Sequence, residues 1–394
     1  MQQRIQLIDV IRGLCLFGIL LSNLLIFQYG MFGKDELDLF SAGTLDWIGY
    51  YFLKIFVEGS FMPIFAFLFG YGMVMMRQRS LENNQKPKRK LLRRFLFLMI
   101  VGFLHATYIW DGDILLTYGM LGIILLVFVA RKPKTILIWT IILLMIATAT
   151  GYGTQDTEGV DKQGIEQYIS LTTEVKTMGS YADILEHRQE ADPFKVMGIP
   201  PEALLVALIL MPFVTAPLFL FGMYAAKIEW FKKPDEQLKL YRTSLIIIPL
   251  AICFKSIYFI FPDIHWLGML SALGANLLAI GYILFIAHIY QKMTYFPLFK
   301  GAANVGKLSL TNYLMQSVIC TFIFYGYGLG LYGQLGVVYG IILGILVFSV
   351  QIVLSHYYLK KWKYGPFEYV LRCVTNWSLM RKNQTDQTHL RKSS

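Results

Sequence analysis

Charge is scarce in this sequence. Asp, Glu, Lys and Arg make up 15% of its 394 residues, where a soluble domain carries about 25%. Hydrophobic residues reach 56%, more apolar surface than a water-soluble fold of this size buries. The shortage excludes an ordinary soluble enzyme, and the apolar excess excludes a disordered chain. Cysteine is as sparse. Cys15, Cys253, Cys320 and Cys373 show no CxxC spacing, and none lies in the long polar loop. That excludes a disulfide framework and reads the four as buried small hydrophobes. Missing too are HExxH, GxSxG, a P-loop and a GxGxxG beside a strand, so neither metal ligation nor a tightly bound cofactor is read. Acids are outnumbered, 25 against 36 Lys and Arg, for a net charge of +11. No nucleic-acid motif accompanies the bases, so nucleic acid is not read as a partner.

What stands in place of charge is apolar sequence. A helix needs about 20 mainly apolar residues to cross a bilayer. Ten candidate runs stand out: 7–30, 51–76, 95–110, 114–130, 135–152, 203–226, 243–261, 267–290, 308–328 and 333–357. The fold class is therefore all-α, a polytopic membrane protein with the lipid bilayer as its first partner. Asp9 and Arg12 sit inside the first run, just before its apolar part 13–27, and no small-residue cleavage pattern follows it closely, so it reads as a retained span. One set of loops and ends holds 28 Lys and Arg and the opposite set holds 5. By the positive-inside rule both termini are cytoplasmic, in a bacterial cytoplasmic membrane. The organisation is two halves of five spans, 1–152 and 203–394, around an extracytoplasmic insert, 153–202. The insert carries ten acids against four bases. Its stretch 165–190 reads as one or two amphipathic helices, ended by Asp192-Pro193 and Pro200-Pro201, either a cap over the outer face or a solvated loop domain.

Ionisable groups inside spans are costly unless paired or facing a cavity, and so mark candidate sites. Asp9 and Arg12 share one face near the cytoplasmic end of the first span. They form an anchoring ion pair or one wall of a cytoplasmic donor site. Asn23 lies in the outer half of that span. Lys54 and Glu58, spaced i,i+4, occupy the outer half of the second, with Pro63 expected to kink the helix beyond them. The third and fourth spans have only about 16–17 apolar residues each, fewer than crossing requires, and Asp111-Gly112-Asp113 leaves no room for a loop. The turn is expected to dip into the outer membrane region with both acids, beside His105, a plausible base or proton carrier. Lys54, Lys255 or His105 would supply the cation that two neighbouring carboxylates need. Asn312 and Gln316 are i,i+4 on the ninth span. The basic stretch 77–94 orients the chain, meets anionic lipid, or captures a phosphorylated donor.

Several stretches together resemble the bacterial YeiB-like membrane proteins. They are Ile8-Asp9-Val10-Ile11-Arg12-Gly13 with Ser22-Asn23, then Phe65 to Gly72, and Leu104-His105 with Trp110 to Leu115. Gly306 to Ser317 resembles that family's C-terminal domain of unknown function, and Tyr364-Gly365-Pro366-Phe367-Glu368 with Arg372 its closing motif. The opening and its downstream Asn also resemble transmembrane acyltransferases such as the heparan glucosaminide acetyltransferases. That likeness implies acyl transfer from cytoplasmic acetyl-CoA, with Asn23 and a His on the far side serving the reaction. The 31–50 loop has no His, so His105 takes the implied role.

Two functions are expected from these residues. In the first, an acyl group moves from cytoplasmic acetyl-CoA or another acyl-CoA to an extracytoplasmic acceptor such as an envelope glycan. Asn23 then positions the carbonyl, His105 acts as base, and Asp111 and Asp113 orient the acceptor. The alternative is a small-solute transporter, proton-coupled or not, with His105, Lys54, Glu58 and the two aspartates at its site.

Overall fold

The computed structural model describes residues 5–152, 162–191, 201–232 and 234–378, with only the backbone course for 201, 203–212, 234 and 235. In chain order the helices are α1 (Gln6–Gly33), α2 (Thr44–Phe56), α3 (Phe61–Glu82), α4 (Pro87–Tyr108), α5 (Leu115–Ile124), α6 (Pro133–Ala149), α7 (Lys162–Met178) and α8 (Tyr181–Glu190). There follow α9 (Pro201–Lys227), α10 (Leu238–Arg242), α11 (Ser244–Ile260), α12 (Leu267–Lys292), α13 (Pro297–Lys307), α14 (Ser309–Phe324), α15 (Val337–Lys361) and α16 (Pro366–Asn376). No strand occurs among the described residues. Each of the ten expected spans holds an apolar helix; six stretches, Thr44–Glu82 shared by α2 and α3 among them, are long and apolar enough to cross a bilayer, and the searched parts of the other four are shorter. The chain is an all-α polytopic membrane protein.

α1 is the axis of the bundle. Of its most apolar stretch 78% is buried inside the protein, against 17–44% for the other five long helices. Their outward faces, such as Ile342, Ile345 and Val353 of α15, are exposed apolar surface that lipid would cover. The bundle has two unlike ends. The basic end gathers the start of α1, the α3–α4 turn and α16, while the cap end carries α7 and α8. Pro87, Pro133, Pro297 and Pro366 each sit in the first turn of a helix, where a missing N–H is no loss.

The second span differs from expectation. It does not kink at Pro63; it breaks. α2 stops at Phe56, Gly59 turns at φ +72°, and α3 restarts at Phe61 with Pro63 in its first turn. Side chains take carbonyls on both sides of the break. Tyr282 donates to Phe56 and Lys255 to Glu58, where α2 leaves carbonyls without helical partners, and Cys15 donates to Phe61 and Tyr118 to Met62 in the first turn of α3. The third span is not short, because α4 starts at Pro87 and its 22 residues suffice to cross; only α5 is short. Two further helices, α13 and α16, lie where sequence reads a loop and a polar tail. Each has 11 residues and a polar face, so an average over 20 residues hides it.

The insert forms α7 and α8, as expected for 165–190, with a capping box at Ser180 and Asp183. Asp192-Pro193 and Pro200 lie outside the described residues. Of the cysteines, Cys15 and Cys320 are buried, but Cys253 is exposed and Cys373 half-buried. Asn312 and Gln316 join α14 to α15 through Ser355 and Gln351, as interhelical polar contacts in membranes do.

Candidate functional site

His105 is the last buried residue of α4, and Asp113 lies just before α5. Their side chains are 1% exposed, and Nδ1 of His105 is 2.8 Å from Asp113 Oδ1. Gly102 makes this pair possible. A Cβ there would fall 2.3 Å from the Leu116 nitrogen and 2.7 Å from Asp113 Oδ2, so α5 approaches α4 only over a glycine. Asp113 Oδ2 accepts the Leu116 N–H at 2.8 Å, which holds the carboxylate at the start of α5. With Asp113 ionised, Nδ1 carries the imidazole proton and Nε2 is the basic nitrogen. Nε2 is buried and has no protein partner.

Among the other buried polar atoms in this condition are Asn23 Oδ1 and Trp110 Nε1. A buried polar atom without a partner is costly, so a water, ion or ligand that supplies one is favoured beside it. Phe27, one turn beyond Asn23, stacks on Trp110 at 4.1 Å between centroids, and the Trp110 ring lies 6.5 Å from that of His105. Asn23 therefore sits on the face of α1 that is turned towards Trp110 and His105.

A cavity of about 450 Å³ enters from the basic end. Its walls carry Arg12, Arg79, Lys90, Arg94, Lys307 and Arg372, against two acids, Asp9 and Glu368. Neither acid opposes the full set of bases. Asp9 pairs with Arg12 at 3.3 Å, and Glu368 accepts the Leu310 and Thr311 N–H groups and the Thr311 hydroxyl. Arg94 is near enough to Arg12 and Arg372 to feel both charges. Such clustered guanidinium groups favour an anionic occupant. Deeper in, the lining turns apolar, with Phe65, Leu68, Leu98 and Leu115, and reaches Tyr313. The Tyr313 hydroxyl is 3.4 Å from Asp113 Oδ1. The cavity thus ends one side chain from the His105–Asp113 pair. This cavity opens at the basic end, not at the outer region into which the Asp111-Gly112-Asp113 turn is expected to dip.

The remaining predicted residues separate into two groups at the cap end. Lys54 and Glu58 form an ion pair at 2.6 Å, as their spacing implies, and Asp35 and Lys34 complete a four-membered network. No hydrogen bond or ion pair among the described residues links that network to His105. Asp111 turns away from Asp113 and stands 3.9 Å from Lys176, with its side chain 42% exposed. The two carboxylates therefore have separate partners. His105 serves Asp113, while Lys176 of α7, which no span-based reading could supply, serves Asp111. Lys176 also lies over the Tyr325 and Tyr332 rings, and burial pushes its ammonium down while Asp111 pulls it back. Arg188 of α8 donates to the carbonyls of Ala106, Thr107 and Ile109, a positive charge at the C-terminal end of α4. The insert is thus a cap seated on the His105 turn.

Sequence reasoning missed Tyr313, Arg94 and Arg372 as members of one site. Arg372 and Tyr313 lay inside stretches already similar to a family, and Arg94 lay in the basic stretch, but nothing in linear order joins them. Residues 225–378 match the family described as "Protein of unknown function (DUF418)". The chain is 32% identical to YxaH of Bacillus subtilis (strain 168) over 386 residues, 95% of this chain and 94% of that protein. It is 26% identical to YeiB of Escherichia coli (strain K12) over 392 residues, 93% of this chain and 95% of that protein. Both are named as uncharacterized proteins.

Proposed function

The chain belongs to the YeiB-like DUF418 family of membrane proteins, and from its site we propose an acyltransferase that works across the bacterial cytoplasmic membrane. The basic end faces the cytoplasm. An acyl-CoA, acetyl-CoA in the simplest case, enters the cavity there with its phosphates among Arg12, Arg94 and Arg372. Its thioester points inwards along the apolar lining. A hydroxyl or amine of an extracytoplasmic acceptor, such as an envelope glycan, attacks the thioester carbonyl carbon. His105 Nε2 takes the proton released, and Asp113 holds the imidazole in the required tautomer. The Asn23 amide donates to the carbonyl oxygen as negative charge develops on it. The carbon–sulfur bond then breaks, and the coenzyme A thiol leaves with the proton that His105 returns. Asp111, half-open at the cap, orients the acceptor.

One observation carries this reading: a basic-mouthed cavity ends at Tyr313, which touches a buried Asp–His pair whose outer nitrogen has no partner. The test is incubation of purified protein with labelled acetyl-CoA and envelope glycans. Label on the glycan supports transfer. Complete retention in the coenzyme, with glycans from several sources, counts against it.

The break between α2 and α3 favours a second reading. Ionisable groups at interrupted helices are where transporters place their solute and ion sites, and Lys54, Glu58 and Lys255 meet at this one. Solute or proton uptake into proteoliposomes, unaffected by acyl-CoA, would select transport instead.

A further inference from the structure

We infer that Tyr313 is a positioning residue, which sets the His105–Asp113 pair from the wall of the basic-end cavity. The inference rests on the acyl-transfer reading for what that pair does, and on geometry alone for the linkage. Tyr313 is 2% exposed, and its hydroxyl is held from two sides. It accepts the Ile114 N–H at 3.2 Å, which leaves its own proton for Asp113 Oδ1 at 3.4 Å. That same oxygen faces Nδ1 of His105 at 2.8 Å. The tyrosine ring lies 5.5 Å from the imidazole, tilted by 49°. The residue also lines the cavity, so it has the occupant's space on one side and the pair on the other.

The two contacts on Asp113 Oδ1 differ in tightness. The histidine contact has ordinary length, whereas an O–H···O bond is usually about 2.7–2.8 Å. The tyrosine side is therefore slack, as catalytic hydrogen bonds often are before substrate binds. Little else can move. Asp113 Oδ2 is already fixed by the Leu116 N–H. The first turn of α14 is fixed by Glu368 on the Leu310 and Thr311 N–H groups, at 2.7 and 3.1 Å. A group that fills the inner end of the cavity therefore acts on the tyrosine side chain, and closing the slack contact draws charge from the oxygen that orients His105. The remaining freedom of the imidazole, and so the direction of Nε2, is set by Tyr313.

The test reads His105 itself. In protein labelled with ¹⁵N-histidine, His105→Gln identifies the Nδ1–H resonance of the His105–Asp113 bond, and Asp113→Asn should abolish it. Tyr313→Phe keeps the ring and removes the hydroxyl, and should shift that resonance. Tyr118→Phe, a buried neighbour whose hydroxyl is spent on the Met62 carbonyl, should not. If Tyr313→Phe does not insert stably, uniform 3-fluorotyrosine, which makes each phenol more acidic, should shift the resonance in the otherwise unchanged chain. A resonance that stays in place in the variant or the fluorinated protein overturns the inference, whatever the turnover. In the acyl-transfer assay Tyr313→Phe should lower kcat about tenfold, with the donor KM within about twofold. A raised KM with kcat unchanged would make Tyr313 cavity wall only, and would overturn the positioning role. Wild-type protein that turns nothing over counts against acyl transfer, while the resonance still decides the part played by Tyr313.

Discussion

At the scale of the residue, the proposed chemistry turns on one nitrogen. His105 Nε2 is buried and unpartnered, and its ring is oriented by Asp113. Removing a positioned general base lowers rates by about 10²–10⁴-fold. His105→Ala and Asp113→Asn should each lower kcat in the labelled acetyl-CoA assay by that order. Neither substitution is expected to prevent insertion, because one lost buried hydrogen bond costs about 1–3 kcal/mol in a bundle of ten apolar helices. Wild-type turnover by either variant, with insertion checked by size-exclusion chromatography in detergent, would remove the pair from the mechanism. Lys54→Gln is the contrasting variant. Its ammonium is committed to Asp35 and Glu58, so it should lower thermal stability and leave acyl transfer intact.

At the scale of the element, the basic stretch at the start of α4 divides by helical face. Lys90 and Arg94, one turn apart, line the cavity, whereas Lys88 and Arg89 are exposed and do not. Neutralising Arg94 and Arg372 together should raise the donor KM about tenfold or more, with an effect that weakens at high salt. Neutralising Lys88 and Arg89 should leave KM unchanged. Equal effects from the two pairs would exclude the cavity as the donor site. The cap has its own dependence on pH. Burial, and then the charge of Lys176, lower the His187 pKa, while its Nε2 lies 2.9 Å from the Thr172 hydroxyl. The unfolded imidazole, near pKa 6.5, then binds more protons than the folded one between the two values. Stability therefore rises with pH across that window, and is lost as pH falls below about 6.5. Amide-exchange protection of 162–191, corrected for intrinsic rates, should fall between about pH 7 and pH 5. His187→Asn should flatten the profile.

At the scale of the whole molecule, sidedness is the first thing to establish. Met178 is 83% exposed at the end of α7, and Glu82 is exposed at the end of α3 on the basic end. With the basic end in the cytoplasm, cysteine at Met178 should react with an impermeant thiol reagent on intact cells and cysteine at Glu82 should not. The reverse pattern would invert the proposed direction of transfer. Placing cysteine at Met178 avoids Gly179, where a Cβ would fall 2.4 Å from the Val175 carbonyl oxygen.

What sequence alone determined here is what depends on short stretches of chain. The ten apolar runs, the helices of the cap and the Lys54–Glu58 pair follow from composition, period and i,i+4 spacing, because each is decided within a few turns. The helix break at Gly59 was announced only as a kink. A proline marks where a helix cannot continue, but whether it bends or stops depends on which neighbours take the freed carbonyls, and Lys255 and Tyr282 lie far along the chain. The site was legible as a list of residue types and not as an arrangement. His105 and Asp113, eight residues apart, meet each other, while Asp111, two residues from Asp113, meets Lys176 instead. Tyr313 and Arg372 reach the same cavity as Arg12 only because α14 and α16 fold back against α1 and α4. Hydropathy is a sum over neighbours in sequence, whereas a cavity is defined by neighbours in space, and so its position, its open end and the tyrosine at its floor were decided by tertiary packing.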